Sequence, residues 1–176
     1  MDNGQFFRIK HKAMNCKSSL SRTFSIIHYS LLNYQLQMYT TETRIRIHYA
    51  LTDQMGIVYH GHYAQFYEIG RTEAIRQLGF TYKDIEAMGI IMPVVDIHSR
   101  FLRPAKYDDL ITVKTTLREF PLNHKIVFHS EIYNEQDQLL NAGDVTLYFM
   151  EAKRMIRTQM PDELKEKLKG YFSITI

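Results

Sequence analysis

The stretch from Gly61 to Leu78 reads GHYAQFYEIGRTEAIRQL and predicts the long helix of the fold. Its apolar and small residues recur every three or four positions, which places them on one face of a helix. These residues are Tyr63, Phe66, Tyr67, Gly70, Ala74 and Leu78. Gly79 follows as a stop signal. A glycine inside a helix costs about 1 kcal/mol relative to alanine, so we expect the helix backbone to approach a sheet closely at Gly70.

Five segments alternate between apolar and polar residues, as half-buried strands do. They are Thr43–Tyr49, Met92–Arg103, Leu110–Glu119, Lys125–Tyr133 and Leu139–Met150. In the first segment, Ile45, Ile47 and Tyr49 should share the buried face. Short links with turn residues separate the last four, so we expect antiparallel hairpins between neighbours in sequence. The predicted fold is α+β, an antiparallel five-stranded sheet wrapped around a central long helix, because each buries its apolar face on the other.

Two shorter helices should complete this domain. Thr81 stands where it can cap the first of them, Asp84 follows three positions later, and Gly89 ends it. The second should begin at Pro161, with acidic residues in its first turn and lysines before Gly170. That order of charges suits the dipole of a helix.

The composition is typical of one globular domain. The chain has 176 residues, of which 45% are hydrophobic and 23% are charged, and a domain of this size buries a core without disulfides. Its single cysteine, Cys16, forms no internal disulfide, which suits a reducing compartment and favours a cytoplasmic location. No apolar stretch approaches the roughly 20 residues that span a bilayer, so we expect no transmembrane segment.

The positive charge of the chain lies in its first part. The net charge is +3, but residues 1–41 carry five basic residues against one acidic residue, whereas residues 42–176 carry 17 basic and 18 acidic residues. Because this later part has no cluster of Lys and Arg, we expect no nucleic-acid partner. Residues 1–37 show no clear periodicity and are interpreted as a basic N-terminal extension: a disordered tail, an extra helix or the product of a start codon chosen too early. The domain would then cover residues 38–176, and Cys16 is not expected to be a nucleophile.

The segment from Asp53 to His60, DQMGIVYH, has the residues that catalysis needs. It leads into the start of the long helix, where unpaired N–H groups and a partial positive charge can stabilise the oxygen of a reacting thioester. A nearby carboxylate could attack the carbonyl carbon or deprotonate a water molecule. Asp53 is the candidate for that role, and the alternative is that it only caps a turn.

Two blocks of sequence resemble the 4-hydroxybenzoyl-CoA thioesterase family, and in particular its branch of acyl-CoA thioesterases associated with the Tol-Pal system. The likeness runs from about residue 44 to residue 152. The first block is Tyr49-x-x-x-Asp53-x-x-Gly56-x-Val58-Tyr59-His60-x-x-Tyr63 with Glu68 and Arg71, and the second is Pro93-Val-Val with Arg100-Phe-Leu-Arg-Pro-Ala-Lys-Tyr-Asp-Asp-Leu-Ile-Thr-Val113. The resemblance implies a hotdog fold and an acyl-CoA thioesterase that needs no metal and no cofactor beyond the coenzyme A of its substrate. It also implies a homodimer or homotetramer whose sheets join edge to edge, with active sites at the subunit interface.

The resemblance also implies roles for single residues. Asp53 matches the catalytic aspartate, as nucleophile or general base. His60 matches the position whose backbone N–H holds the thioester carbonyl and whose side chain also takes part in catalysis. Substrate contacts are expected from Tyr49, Tyr59, Gly61 and Tyr63, and contacts with the phosphates of coenzyme A from Arg103, Lys106, Lys125 or Arg154. The turn before Lys125 lacks the basic cluster of some family members, so an acyl-carrier protein stays open as the thiol carrier.

Other interpretations fit the same residues. The fold also suits a hydratase or dehydratase of acyl chains, or a protein that binds acyl thioesters without catalysis. His60 and His62 resemble a pair of metal ligands, but with no third ligand nearby in sequence they are weak evidence for zinc. Glu68 and Arg71 are expected to form an ion pair on the helix surface or at an interface.

Overall fold

The computed structural model describes residues 38–172. The predictions for the basic extension and for Cys16 lie outside the described residues, and the domain boundary at residue 38 stays a prediction. The long helix is confirmed, because α1 spans His62–Gln77 with Gly61 at its N-cap. Its predicted apolar face is buried along the whole helix. The close approach expected at Gly70 is also confirmed, since side-chain atoms of the sheet occupy the space where a Cβ would lie.

The main sheet has five antiparallel strands, as predicted, and α1 packs on its inner face, with its backbone nearest to β1 and β4. Its strands are β1 (Tyr39–Arg46), β3 (Val94–Phe101), β4 (Leu110–Leu117), β5 (Lys125–Tyr133) and β6 (Leu139–Tyr148). A small second sheet, which the sequence did not predict, contains β2 (Ile90–Ile91), β7 (Met150–Glu151) and β8 (Ile156–Arg157). The two short helices are confirmed as α2 (Tyr82–Ala87), with the capping box of Thr81 and Asp84, and α3 (Asp162–Lys169).

The predicted hairpin between β3 and β4 is wrong. The strand order is β1-β4-β5-β6-β3, so β3 pairs with β6 at one edge while β4 lies between β1 and β5. Residues 102–109 therefore cross from the β3 edge to β4, and buried Ala105 anchors this link by accepting a hydrogen bond from the Val58 N–H at 2.9 Å. Turn residues indicate where strands end, but the pairing of strands depends on such tertiary contacts. The crossing brings the link beside the loop that carries Asp53.

The first predicted strand is also wrong at its end. β1 stops at Arg46, and Tyr49 lies in a 3-10 turn over Tyr49–Leu51 with 78% of its surface exposed. The buried Ile47 exchanges backbone hydrogen bonds of 2.9 Å with the crossing link, after which the chain leaves the sheet.

The predicted strand Met92–Arg103 is interrupted near its start. Pro93 has no N–H for a ladder and separates β2 from β3.

Candidate active site

The loop from Thr52 to Val58 forms a tight turn that presents Asp53. Thr52 and Val58 pair as an isolated antiparallel bridge, and the Asp53 N–H donates to the Ile57 carbonyl at 2.9 Å. Gly56 has a φ of +72°, a conformation that glycine adopts without the steric cost of a side chain. The turn therefore depends on its glycine and holds the backbone of Asp53 in place.

The carboxylate of Asp53 closes this turn with one oxygen only. Its Oδ1 accepts a hydrogen bond from the Met55 N–H at 2.8 Å, which is the turn-capping role that the sequence left open. Within residues 38–172, no protein group donates a hydrogen bond to Oδ2. The residue is half-buried. One held oxygen and one free oxygen suit a carboxylate that acts as base or nucleophile.

A cavity of about 330 Å³ lies beside this turn. Four of the residues that the sequence singled out line it: Asp53, His60, Tyr63 and Arg103. The rest of the wall is mainly apolar and consists of Met55, Ile57, Val58, Phe101, Leu102 and Pro104. Apolar walls with a few polar groups at fixed points are typical of small-molecule sites.

The start of α1 leaves two backbone amides free next to this cavity. The His62 N–H donates to the Tyr59 carbonyl at 3.0 Å and the Tyr63 N–H to the His60 carbonyl at 3.3 Å. In the described part of the chain, the N–H groups of His60 and Gly61 donate to no protein acceptor. Free amides at a helix start, together with the helix dipole, can stabilise an oxygen that gains negative charge.

Tyr59 and Gly61 adjoin His60 in the chain but do not form part of the cavity wall. The ring centroid of Tyr59 is 4.2 Å from that of His60. A Cβ built on Gly61 would lie 2.7 Å from the Tyr59 ring, so the absence of a side chain there lets Tyr59 pack over the turn. The His60 ring centroid also lies 6.5 Å from that of Phe101. The imidazole thus has two aromatic side chains as neighbours.

Several predicted contact residues lie elsewhere in the chain. Tyr49 is exposed and outside the cavity wall, and Lys106 touches the Asp53 loop through its backbone bridge to Ile57. Lys125 lines a separate cavity of about 380 Å³ beside the link between β4 and β5. Arg154 forms an ion pair of 3.6 Å with Glu151. Of the four cations considered for coenzyme A, the cavity of Asp53 contains Arg103 alone.

Phe101 is the aromatic wall residue among those that the sequence analysis did not assign to the site. Its ring centroid lies 5.2 Å from that of Tyr63, and it ends β3 just before Arg103. The apolar alternation of β3 includes Phe101, so a signal was available. Its place beside Asp53 could not be predicted, however, because that depends on the unexpected crossing from β3 to β4.

The polar groups around the cavity are held by the backbone. The Arg103 guanidinium donates through Nη1 to the Leu139 carbonyl at 2.9 Å. Burial raises the pKa of the Tyr63 phenol, and a hydrogen bond with the Ala105 backbone offsets part of that effect. Tyr63 is therefore neutral at physiological pH and contributes shape to the wall without charge.

Two kinds of feature are absent from residues 38–172. None of the helices there has the length and apolar character needed to cross a membrane. That part of the chain also has no group of three His, Cys, Asp or Glu side chains arranged to hold a metal ion. His60 and His62 accordingly have no third ligand there.

Comparisons with known proteins relate this geometry to a family. The sequence profile of the Thioesterase superfamily matches residues 55–141. YneP of Bacillus subtilis (strain 168) is 40% identical over 102 residues, which cover 58% of this chain and 73% of YneP. The acyl-CoA thioesterase YbgC of Haemophilus influenzae is 30% identical over 122 residues, which cover 69% of this chain and 88% of that protein.

A solved structure agrees with these sequence relatives. The DHNA-CoA thioesterase of Staphylococcus aureus superimposes with a TM-score of 0.69 and 31% identity, covering 76% of this chain and 93% of that chain. The hotdog fold expected from the two sequence blocks is thereby confirmed. The chain therefore belongs to the thioesterase superfamily and has its hotdog fold.

Proposed function

We propose that this protein hydrolyses acyl-CoA thioesters to the free acid and coenzyme A, with Asp53 as the catalytic carboxylate. The observation that carries the proposal is the cavity shared by Asp53 and His60, next to two free amides at the start of α1. The names of the relatives support the substrate class, since YbgC of Haemophilus influenzae is an acyl-CoA thioesterase and the structural neighbour is a DHNA-CoA thioesterase.

The proposed reaction needs a nucleophile and a site for the oxyanion. The free Oδ2 of Asp53 either attacks the thioester carbonyl carbon or takes a proton from a water that attacks it. The carbonyl oxygen then carries negative charge, which the His60 and Gly61 amides stabilise. When the carbon–sulfur bond breaks, coenzyme A leaves as a thiolate and takes up a proton. In the anhydride route, water then hydrolyses the acyl–Asp53 bond and restores the carboxylate.

Other residues of the cavity have supporting parts in this proposal. The His60 side chain, with Tyr59 and Phe101 as neighbours, lines the cavity and is proposed to hydrogen-bond the substrate or the attacking water. Arg103 is the cation for a coenzyme A phosphate. A carboxylate and amide donors are sufficient for this chemistry, so the reaction is proposed to need no metal and no cofactor beyond the coenzyme A of the substrate.

We further propose that the working form is a homodimer joined through the β3 edge. Within residues 38–172, β3 has β6 as its one neighbour and exposes apolar side chains there. An open strand edge is a template for pairing with another chain. Membership of the Tol-Pal-associated branch is proposed from the two sequence blocks alone, and a cytoplasmic location from the single cysteine.

A thiol-release assay tests the reaction class. The full chain is given short, long and aromatic acyl-CoAs, and the same acyl groups on an acyl-carrier protein, and free thiol is measured. We expect free thiol from acyl-CoAs. Hydration of an enoyl-CoA without release of thiol would replace the proposal with a hydratase. Tight binding of acyl-CoA without either reaction would replace it with a binding protein.

A further inference from the structure

The crossing link over residues 102–109 supports the Asp53 loop, residues 52–58, from outside. In the described part of the chain, it is the one segment distant in sequence whose backbone hydrogen-bonds the backbone of that loop. The bond runs from the Val58 N–H to the Ala105 carbonyl at 2.9 Å. The place of the loop in the molecule therefore depends on how the link is held next to Ala105.

Ala105 also connects the link to the start of α1. The Tyr63 hydroxyl hydrogen-bonds the Ala105 backbone, and this bond lowers the pKa of the phenol. A hydrogen bond that lowers the pKa of an acid is one that its oxygen accepts, so the Ala105 N–H is the donor. Tyr63 lies in the first turn of α1, directly after the free amides of His60 and Gly61. One buried residue of the link thus contacts both parts of the proposed site.

Asp109 holds the next residue of the link through both of its backbone groups. Oδ2 of Asp109 accepts from the Lys106 N–H at 2.7 Å, and the Asp109 N–H donates to the Lys106 carbonyl at 3.3 Å. Lys106 in turn pairs with Ile57 of the loop as an isolated antiparallel bridge. The turn is fixed to the end of β1, because the Asp109 carbonyl accepts from the Ile47 N–H at 2.9 Å.

The turn closed by Asp109 has a strained backbone. Asp108 has a φ of +69°, and the left-handed conformation costs a residue with a side chain about 1–2 kcal/mol. Such a turn needs its closing hydrogen bonds to persist. Lys106 is exposed, so water can replace the carboxylate as acceptor when Asp109 is truncated. Loss of the carboxylate should therefore loosen the turn without unfolding the domain.

We propose that Asp109 is a positioning residue, which fixes the distance between the Asp53 carboxylate and the free amides of His60 and Gly61 by holding the turn beside Ala105. This rests on the proposed function and adds to it a residue that lies outside the cavity wall. A misplacement of reacting groups by about 1 Å can slow a reaction about 100-fold. A loosened turn should accordingly lower kcat.

Substrate binding should depend less on Asp109 than turnover does. The wall residues at the other end of the link are held separately, since the N–H groups of Leu102 and Arg103 both donate to the Leu140 carbonyl at 2.9 Å. The Arg103 guanidinium is held by the Leu139 carbonyl. A loosened turn at residues 106–109 leaves these bonds in place. The loss of an alignment needed in the transition state then appears in kcat and kcat/KM together.

Steady-state kinetics of Asp109→Ala and Asp109→Asn test this role on an acyl-CoA that the wild type hydrolyses. Asp109→Ala should lower kcat about tenfold or more and leave KM within about threefold of the wild type. Asp109→Asn keeps an oxygen that can accept from the Lys106 N–H, so its kcat should return to within about threefold of the wild type. Wild-type kcat in Asp109→Ala, or an Asp109→Asn protein that is equally slow, would overturn the proposal.

Asn134→Ala is the matched control, because Asn134 closes the turn between β5 and β6 in the same way. Its Oδ1 accepts from the N–H groups of Gln136 and Gln138 at 3.1 and 2.9 Å, and it lies outside the cavity wall. The control should lose thermal stability but keep wild-type kcat. Equal losses of kcat in Asn134→Ala and Asp109→Ala would mean that activity follows the stability of the fold, and would overturn the positioning role.

Hydrogen exchange at the Val58 amide measures the contact without catalysis. Exchange should be about tenfold or more faster in Asp109→Ala than in the wild type, and unchanged in Asn134→Ala. Unchanged exchange in Asp109→Ala would show that Asp109 does not hold the loop. Faster exchange with wild-type kcat would refute the positioning role and leave the proposed function standing. A wild-type protein that releases thiol from no acyl-CoA would refute the function, and exchange at Val58 would still decide whether Asp109 holds the loop.

Discussion

Gly70 of α1 lies so close to β4 that a Cβ built on it would be 2.5 Å from Thr115 Oγ1. Val113 Cγ1 would be at 2.8 Å. Alanine normally stabilises a helix interior by about 1 kcal/mol relative to glycine, but extra atoms in a packed core cost about 1–3 kcal/mol. Because the space is already occupied, the second effect should be the larger.

We therefore expect Gly70→Ala to lower the free energy of unfolding by about 1–2 kcal/mol, as measured by urea denaturation. Gly170→Ala is the matched control, since a Cβ there would have its nearest neighbour at 3.8 Å. That control should be neutral or slightly stabilising. A Gly70→Ala protein as stable as the wild type would show that α1 does not pack as closely on β4 as the structure has it.

Tyr67 connects α1 to β3 and β6 through a buried polar network. Its hydroxyl bonds with Ser99 Oγ at 2.8 Å and donates to Asn141 Oδ1, while Asn141 Nδ2 donates to Ser99 Oγ at 3.0 Å. Removing one member of a buried network leaves the others without partners, at about 1–3 kcal/mol. Tyr67→Phe should therefore lower the thermal midpoint by several degrees. Tyr133→Phe, which loses a bond to the side chain of Glu131 near the surface, should cost under about 0.5 kcal/mol.

The stability of the fold should fall in alkali because of Tyr39. Burial, and then the nearby Tyr171, raise the pKa of Tyr39 from 10.0 to about 12. An acid whose pKa is raised by folding contributes its full stability below its unfolded pKa and loses it as pH rises through the folded pKa. This loss should fall between pH 10 and 12.

Urea unfolding at a series of pH values checks this expectation. Tyr39→Phe also loses a hydrogen bond of 2.5 Å to the Ala74 carbonyl, so it should be less stable than the wild type at neutral pH. Its stability should nevertheless fall less steeply above pH 10. Parallel curves for the two proteins would mean that Tyr39 ionises as easily in the folded chain as in the unfolded one.

Phe101→Ala should weaken substrate binding more than turnover. The side chain lines the cavity but is half exposed, so the fold should tolerate its loss. Truncating an apolar wall removes contacts worth about 1–3 kcal/mol, which corresponds to a KM raised about 5-fold to 150-fold. Loss of uniform binding leaves kcat nearly unchanged. Leu122→Ala, an exposed residue on the link between β4 and β5, is the control. An unchanged KM for Phe101→Ala would remove that residue from the site.

The elements of the fold follow from the sequence more fully than their arrangement does. Helical spacing from Tyr63 to Leu78 and strand alternation found α1 and the five main strands within a few residues, since burial of one face imposes those periods. The position of β3 beside β6 was missed, because alternation does not say which strands pair. Tyr49 was misplaced since its alternation continues after the chain has left the sheet at Ile47.

The candidate site shows the same division. Asp53 and His60 lie within eight residues of each other, so their shared cavity follows from local chain geometry that a sequence can indicate. Phe101, by contrast, is far from Asp53 in the sequence. It lines the same cavity because the link over residues 102–109, which follows it, runs from the β3 edge to β4 past the Asp53 loop. A contact of that kind depends on the tertiary packing of Ala105 against the Asp53 loop. Sequence spacing carries no information about it.

The most direct test of the central claim is the turnover of Asp53→Asn compared with its affinity for substrate. Asparagine keeps an oxygen that can accept from the Met55 N–H, so the turn and the fold should survive. We expect the thermal midpoint to stay within a few degrees of the wild type and the Kd for acyl-CoA to stay within about threefold. We expect kcat to fall by at least about 100-fold. Wild-type turnover by a folded Asp53→Asn protein would contradict the account.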